Sequence, residues 1–545
     1  MVLALSGGLA IILVVGALLG GASIGGLGGA QPAPRYVDEA PTAGVDQRYD
    51  GDDYYVGGGV AAFDCDEDGK AELYIAGGSS TAGLFHNDSE VAGPLRFSPL
   101  PGEATDLGGV TGAYPLDVDG DALADLVVLR RGGNVVLRGT GDCGFEPANE
   151  AWNLDRGDAW STAFSATWEA GATWPTVAVG NYLDEASTDR ERLCFDNQLI
   201  RPNDQGSGFA EPTVLSPGWC SLSMLFSDWD RSGRRDLRVS NDRHYYNVAG
   251  DGEEQLWRVA AGEPPRLYTE SDGWLRVRVW GMGIGSYDVT DDGYPDYYLT
   301  SQADNKLQTL ADGPAQPTYE DIALERGALA TRPYAGDTTL PSTAWHAEFQ
   351  DVNNDGFIDL FVAKGNVEAM PDYAARDPSN LLIGQADGTF VEGAEEAGIL
   401  NFAKARGATL TDLNLDGLLD LVVVYRREPV GIWRNVGAGD AEATEPTGHW
   451  LALRLVEADP NRDAIGSWVE IRTGDRVQRR EITVGGGHVG GQLGWIHVGL
   501  GRAEEAEVRV QWPDGEAGPW LTIGADQFAI VDREAGSIEP WTPGN

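Results

Sequence analysis

The sequence predicts an all-β protein, a seven-bladed β-propeller over residues 51–445 followed by a small β-sandwich-like domain over residues 446–545. Three observations predict it. One acidic loop recurs along the chain at a near-constant spacing. Each copy runs into a short segment of β-branched and aromatic residues. Gly, Pro, Asp and Asn interrupt every stretch long enough to form a helix.

The loops start at Asp64, Asp117, Asp228, Asp288, Asp351 and Asp412. Oxygen-bearing side chains fill positions 1, 3, 5 and 9 of each. They are Asp64, Asp66, Asp68 and Glu72; Asp117, Asp119, Asp121 and Asp125; Asp228, Asp230, Ser232 and Asp236; Asp288, Thr290, Asp292 and Asp296; Asp351, Asn353, Asp355 and Asp359; and Asp412, Asn414, Asp416 and Asp420. An eroded seventh copy falls near Thr167, with Thr167, Glu169, Gly171 and Pro175 in place of the ligands, and no ion is expected there. Starts about 50 to 63 residues apart leave room for four short strands and their turns. A self-similar β unit at that period is a propeller blade, and seven units give seven blades.

A strand of small and apolar residues leads into each loop, as in Gly57–Phe63 and Ala405–Leu410. A β-rich run follows, as in Leu73–Ala76 and Leu421–Val424. From His449 the pattern changes to a set of strands, some alternating: His449–Val456, Ile465–Ile471, Gln478–Val484, Trp495–Val498, Ala506–Trp512 and Phe528–Val531. These make a separate small domain, most simply a sandwich. Residues 31–50, rich in Pro, Ala and Asp, are expected to be a linker. Residues 1–30 carry no charged side chain. They read as a signal peptide cut after Ala30, or as an uncleaved anchor long enough to cross a bilayer. Both readings place the rest of the chain outside the cytoplasm, in an extracellular, periplasmic or cell-surface setting. Membrane contact is expected only through that segment.

The net charge of −46 excludes a nucleic-acid surface and an anionic membrane surface as partners. The loop carboxylates account for 20 of those charges, leaving −26 for the general surface. A hard cation such as Ca²⁺ takes six to eight oxygens. Side chains at positions 1, 3 and 5 fold those oxygens inward, and the acid at position 9 closes the cage. About six calcium sites are therefore expected, with a structural role. The loop is not an EF-hand, because its closing acid comes at position 9 and a strand follows. Gly69, Gly233, Gly293, Gly356 and Gly417 permit a sharp turn at position 6. Ala122 stands there in the second loop, whose turn is expected to differ. Ser232 and Thr290 mark weaker ligand sets. Four cysteines in an exported chain are expected to form two disulfides, Cys194–Cys220 and Cys65–Cys143.

A small-residue strand leading into Asp-x-Asp/Asn-x-Asp-Gly-x-x-Asp-Leu resembles the FG-GAP repeats of calcium-binding propellers, integrin α chains among them. The segments His449–Leu451, Asn461–Gly466, Gly499–Gly501 and Trp512–Gly515 resemble the ASPIC/UnbV domain. The two in this order are similar to the cartilage acidic protein-like family of secreted proteins. The resemblance implies a calcium-loaded extracellular propeller, a binding or matrix protein rather than a defined enzyme.

No catalytic residue is assigned. His346 and Glu348 share one strand face and read as packing or support. Asn241–Tyr246 is a polar and aromatic cluster suited to a propeller face. Gly485–Gly491 is glycine-rich but lacks the lysine and following helix of a phosphate loop. The expected function is an exported binding or adhesion module whose partner is an extracellular protein or glycan. The alternative is a polysaccharide-active enzyme with its site on the propeller face or at the domain junction.

Overall fold

The computed structural model describes residues 32–154, 157–188, 193–242, 252–336, 338–458 and 460–543. The export segment expected over residues 1–30 lies outside them. So do residues 243–251, which hold most of the Asn241–Tyr246 cluster.

Seven antiparallel blades of four strands follow one another around an axis, and Gln492–Leu493 adds a fifth, parallel strand to the first. Their innermost strands are Val60–Phe63, Val110–Leu116, Ser161–Thr167, Ser221–Ser227, Gly281–Tyr287, Ala344–Gln350 and Ala405–Thr411. These strands are almost wholly buried, because each is covered by a neighbouring blade on both sides. In all but the first blade a register shift near the start of the innermost strand tightens its twist. The turn from innermost to second strand falls at the same end of every blade. The six acidic loops therefore share one face of the propeller.

The expected linker is a correction. Tyr36–Asp38, inside the 31–50 stretch, is the outermost strand of the seventh blade and pairs with Trp433–Asn435. The Tyr36 hydroxyl donates to Leu419 O at 3.0 Å. The ring must close on itself, and a strand from the start of the chain pairs the edge that the last blade would otherwise leave open. Both expected disulfides form, Cys65–Cys143 and Cys194–Cys220.

The C-terminal domain is a sandwich of two four-stranded sheets. One holds His449–Val456, Ile496–Gly501, Gln527–Asp532 and Ser537–Trp541; the other holds Trp468–Thr473, Arg476–Glu481, Glu505–Gln511 and Leu521–Gly524. Leu451, Leu453, Val469, Ile471, Val508 and Val510 meet between the sheets. The strand expected through Val484 ends at Glu481.

From there the chain leaves the sandwich and enters the propeller axis. Val484 pairs with Ala166, Gly485 with Leu225, Gly487 with Ile284 and Gly490 with Ala113. Gln492–Leu493 run parallel to Ala62–Phe63. His488 N donates to His346 Nδ1 at 3.1 Å. The glycine-rich segment is thus a plug, bonded to the innermost strands of six blades. It also explains the small residues of those strands. A Cβ on Gly112 would lie 1.7 Å from Val489 O, so only glycine admits the plug there.

Candidate metal centres beneath the C-terminal domain

The six loops share one hydrogen-bonded frame. The position-1 carboxylate accepts the position-6 N–H at 2.7–3.0 Å, from Gly69, Ala122, Gly233, Gly293, Gly356 and Gly417. Positions 4 and 6 both adopt positive φ in every loop. Ala122 does so at φ 73°, so the second loop's turn does not differ, contrary to expectation. Gly120 at position 4 leaves one non-glycine residue strained there instead of two.

The position-9 acid does more than close a cage. One oxygen of Asp125, Asp359 and Asp420 accepts the N–H of position 2, at 2.7, 2.9 and 3.0 Å. The other accepts an N–H of the third strand, from Gly139, Gly384 and Asn435, at 2.9, 2.7 and 2.8 Å. This acid hangs the loop on its blade. Asp236 is engaged further, by Arg234 at 3.0 Å, Trp229 Nε1 at 2.9 Å and the Tyr268 hydroxyl at 2.8 Å. The loop at Asp228 is therefore poor in free oxygens for a reason beyond Ser232. The acid-rich second loop is likewise bridged, by Arg138 to Asp119 and Asp121, both at 2.7 Å.

What remains inside the loops is oxygen without a donor. Asp64 Oδ1, Asp228 Oδ1, Asp288 Oδ1, Thr290 Oγ1 and Asn414 Oδ1 are buried with no hydrogen-bond partner. Carboxylate oxygens of Asp64, Asp66 and Asp68 lie within 4.8 Å of one another, as do those of Asp117, Asp119 and Asp125. Burial first, and then neighbouring carboxylates, pushes Glu72 and Asp125 up to about 8. Burial likewise raises Asp117 and Asp288 to about 7. Such a group is relieved by a proton or by a positive ion. An all-oxygen donor set with orphaned, buried carboxylate oxygens fits a hard divalent cation. The third blade differs. Glu169 there accepts from Arg201 Nε at 2.6 Å and from Thr176 Oγ1 at 2.7 Å.

All six loops lie under the C-terminal sandwich. Arg454 reaches Asp64 at 3.1 Å. Arg462 donates to Ala122 O at 3.0 Å. Asp228 N donates to Glu481 at 2.8 Å, and Arg479 lies 3.5 Å from Asp288. Gly501 N donates to Asn354 O at 2.9 Å. Trp450 lies against Gly417 so closely that a Cβ there would meet its ring at 1.9 Å. Between the domains is a polar chamber of about 270 Å³, lined in part by Glu348, Arg480, Glu481 and Asp463. His346 Nε2 stands 3.3 Å from Glu348 Oε2. Glu348 Oε1 accepts from Gln350 at 2.9 Å and from Gln492 of the plug at 2.8 Å. Both side chains are held by plug contacts.

Two segments match family models: residues 351–423 the FG-GAP-like repeat, and residues 457–538 ASPIC and UnbV. The chain is an FG-GAP propeller capped by an ASPIC/UnbV domain. No curated protein matches it in sequence. Among solved structures, BBS1N in complex with ARL6DN aligns at TM-score 0.43 and 12% identity, over 74% of this chain and 98% of that one. Saccharomyces cerevisiae Sqt1 aligns at TM-score 0.41 and 12% identity, over 75% and 99%. An Agrocybe aegerita lectin that recognises non-reducing terminal N-acetylglucosamine aligns at TM-score 0.36 and 15% identity, over 69% and 93%. None is similar enough to inform the function of this FG-GAP propeller. The FG-GAP repeats and two disulfides are typical of extracellular proteins, and the domain pair suggests an extracellular or binding module.

Proposed function

We propose that this FG-GAP propeller is an exported, calcium-loaded binding module that meets an extracellular protein or glycan through the face opposite its acidic loops. The observation that carries the reading is the covering of all six loops by the ASPIC/UnbV domain. An ion held beneath a second domain is suited to stabilisation rather than to exchange with a ligand.

In this reading calcium binds the position 1, 3, 5 and 9 side chains named above and neutralises their mutual repulsion. Orphaned oxygens of Asp64, Asp228 and Asp288 support it. Among the described residues, the opposite face carries a groove of about 620 Å³ with Leu340, Met370, Tyr373, Arg376 and Phe402 in its walls. Aromatic and aliphatic walls with a single cation suit a flat, partly apolar ligand.

The test is a screen of the full, calcium-loaded chain against glycan and extracellular-protein arrays, repeated with Tyr373→Ala and Phe402→Ala. Binding that falls at least tenfold in those variants, with the melting temperature unchanged, supports the opposite face. Undiminished binding in both would sink the assignment of that face.

A further inference from the structure

The chain has four lysines, and one of them is set apart. Lys70, Lys306 and Lys404 each reach a carboxylate, at 2.8, 3.1 and 3.7 Å. Lys364 is completely buried, and its Nζ bonds uncharged oxygens, Asn380 Oδ1 at 2.8 Å and Arg332 O at 3.2 Å. It ends the second strand of the sixth blade, Asp359–Lys364. Asn380 opens the third strand, Asn380–Gly384, and Glu392 ends the outermost, Phe390–Glu392. The registers Val362 to Asn380 and Leu382 to Glu392 bring the three residues to one end of the sheet.

The Asn380 amide is held at both of its ends. The lysine amine sits at its carbonyl oxygen. Its Nδ2 donates a short hydrogen bond to Glu392 Oε2. Ala363, Leu381 and Ala394, each next in sequence to the three residues or close to them, belong to an apolar cluster. Burial lowers the Lys364 amine to about 8 and raises the Glu392 carboxyl. A desolvated lysine offers a neutral, nucleophilic amine near neutral pH. A positioned carboxyl can carry its proton.

We propose that Lys364 and Asn380 react with each other to form an intramolecular isopeptide bond, with Glu392 as the proton carrier. Lys364 Nζ attacks the side-chain carbonyl carbon of Asn380, and a new C–N bond forms. Glu392 takes a proton from the incoming amine and gives it to Nδ2. The bond from that carbon to Nδ2 breaks, and ammonia leaves. Atoms and charge balance without an oxidant, a reductant or a cofactor. The product ties the second and third strands of the sixth blade through their side chains and closes residues 365–379 into a covalent loop.

Holding three such groups in register within an apolar site supplies the proximity this slow reaction needs. The competing arrangement is a buried ammonium that stays hydrogen-bonded and faces Asp377, a second buried acid that acts on it electrostatically.

Mass spectrometry of the full chain separates the two. The expected denatured, reduced mass is that of the sequence less one ammonia. Trypsin is expected to leave the bond after Lys364 uncut, and fragmentation to recover the Lys364 peptide joined to the Asn380 peptide. Glu392→Gln, Lys364→Met and Asn380→Ala are expected to lose the joined peptide completely and keep their full calculated masses. Circular dichroism checks that Glu392→Gln is folded. A wild-type chain of full mass that trypsin cuts after Lys364 overturns the proposal. An ammonia loss with no joined peptide overturns it equally. A joined peptide persisting in Glu392→Gln would remove Glu392 from the reaction.

Discussion

The ASPIC/UnbV domain meets the propeller in two places that use opposite chemistry. At the rim, arginines and backbone groups of the sandwich lie on six acidic loops whose carboxylates are crowded and pushed up by burial. On the axis, the plug is uncharged and glycine-rich and bonds through its backbone. The rim should answer to ions, whereas the axis should answer to shape. That division gives four ways to break or sharpen the comparison.

The largest effect of any single substitution is expected on the axis. Gly112→Val places a side chain where even a Cβ would meet Val489 O at 1.7 Å. Overpacking of backbone against backbone has no easy relief, and a cost of about 4 kcal/mol or more is expected. Soluble yield and thermal melting report it. A variant as stable as wild type would show that the plug does not pack this way.

At the rim the matching test is calcium removal, which acts on all six loops at once. Each site held at a hundred times its dissociation constant contributes roughly 2.7 kcal/mol, so EDTA should lower the melting temperature by about 10 °C or more. Calcium should restore it. Hydrogen exchange should rise first in the rim loops, while the strands paired with the plug stay protected. An unchanged melting temperature on chelation rules out a structural ion at the rim.

The plug's own titratable side chain is His488. It is fully buried, with Nε2 accepting from Gly57 N at 3.3 Å and Nδ1 facing Met282 O at 3.3 Å. Burial above all lowers it to about 3. A histidine so depressed contributes stability that is present above its unfolded value near 6.5 and lost as pH falls towards 3. The loss runs at about 1.4 kcal/mol per pH unit. Wild type should therefore lose about 2.3 kcal/mol more than His488→Gln between pH 6.5 and 4.5, at saturating calcium. Parallel pH profiles for the two proteins would place a protonated His488 in the folded state.

The smallest effect sets an acidic loop against the eroded one. Asp412→Ala should remove about one bound calcium per chain, whereas Glu169→Ala should remove none and cost about 1 kcal/mol through lost bonds to Arg201 and Thr176. Elemental analysis after dialysis counts the ions. A calcium lost on Glu169→Ala would mean that the third blade holds one.

Much of the fold was legible because blades are local. The turn residues, the following strand and the period all lie within one repeat, and the sandwich strand His449–Val456 was bounded correctly from its pattern alone. The six acidic loops and their common frame were legible for the same reason. The ring closure was not. Tyr36–Asp38 is too short to show alternation, and its partners lie at the far end of the propeller. The plug was half legible. A run of glycines signals close approach, but nothing in Gly485–Gly491 says what approaches. The small residues at Gly59 and Gly112 are the matching signal, and in the sequence they are only part of the strand that leads into each loop. The loss of Asp236 to Trp229, Tyr268 and Arg234 was hidden because Tyr268 lies 32 positions away and competes for the same oxygens.

The strand Tyr36–Asp38 also bears on how the molecule is made. Its hydroxyl partner lies 383 positions downstream. During synthesis the first strand of the propeller must wait, unpaired, until the seventh blade has emerged. The plug comes later still, because Val484–Leu493 follow every blade. Six finished blades can exist only as an open arc with two raw edges, a state prone to joining with another copy. Assembly of the ring is then an end-of-chain event: a long-range contact zips it shut, and the axial segment locks it. A ribosome stalled before residue 431 would hold an arc and never a ring.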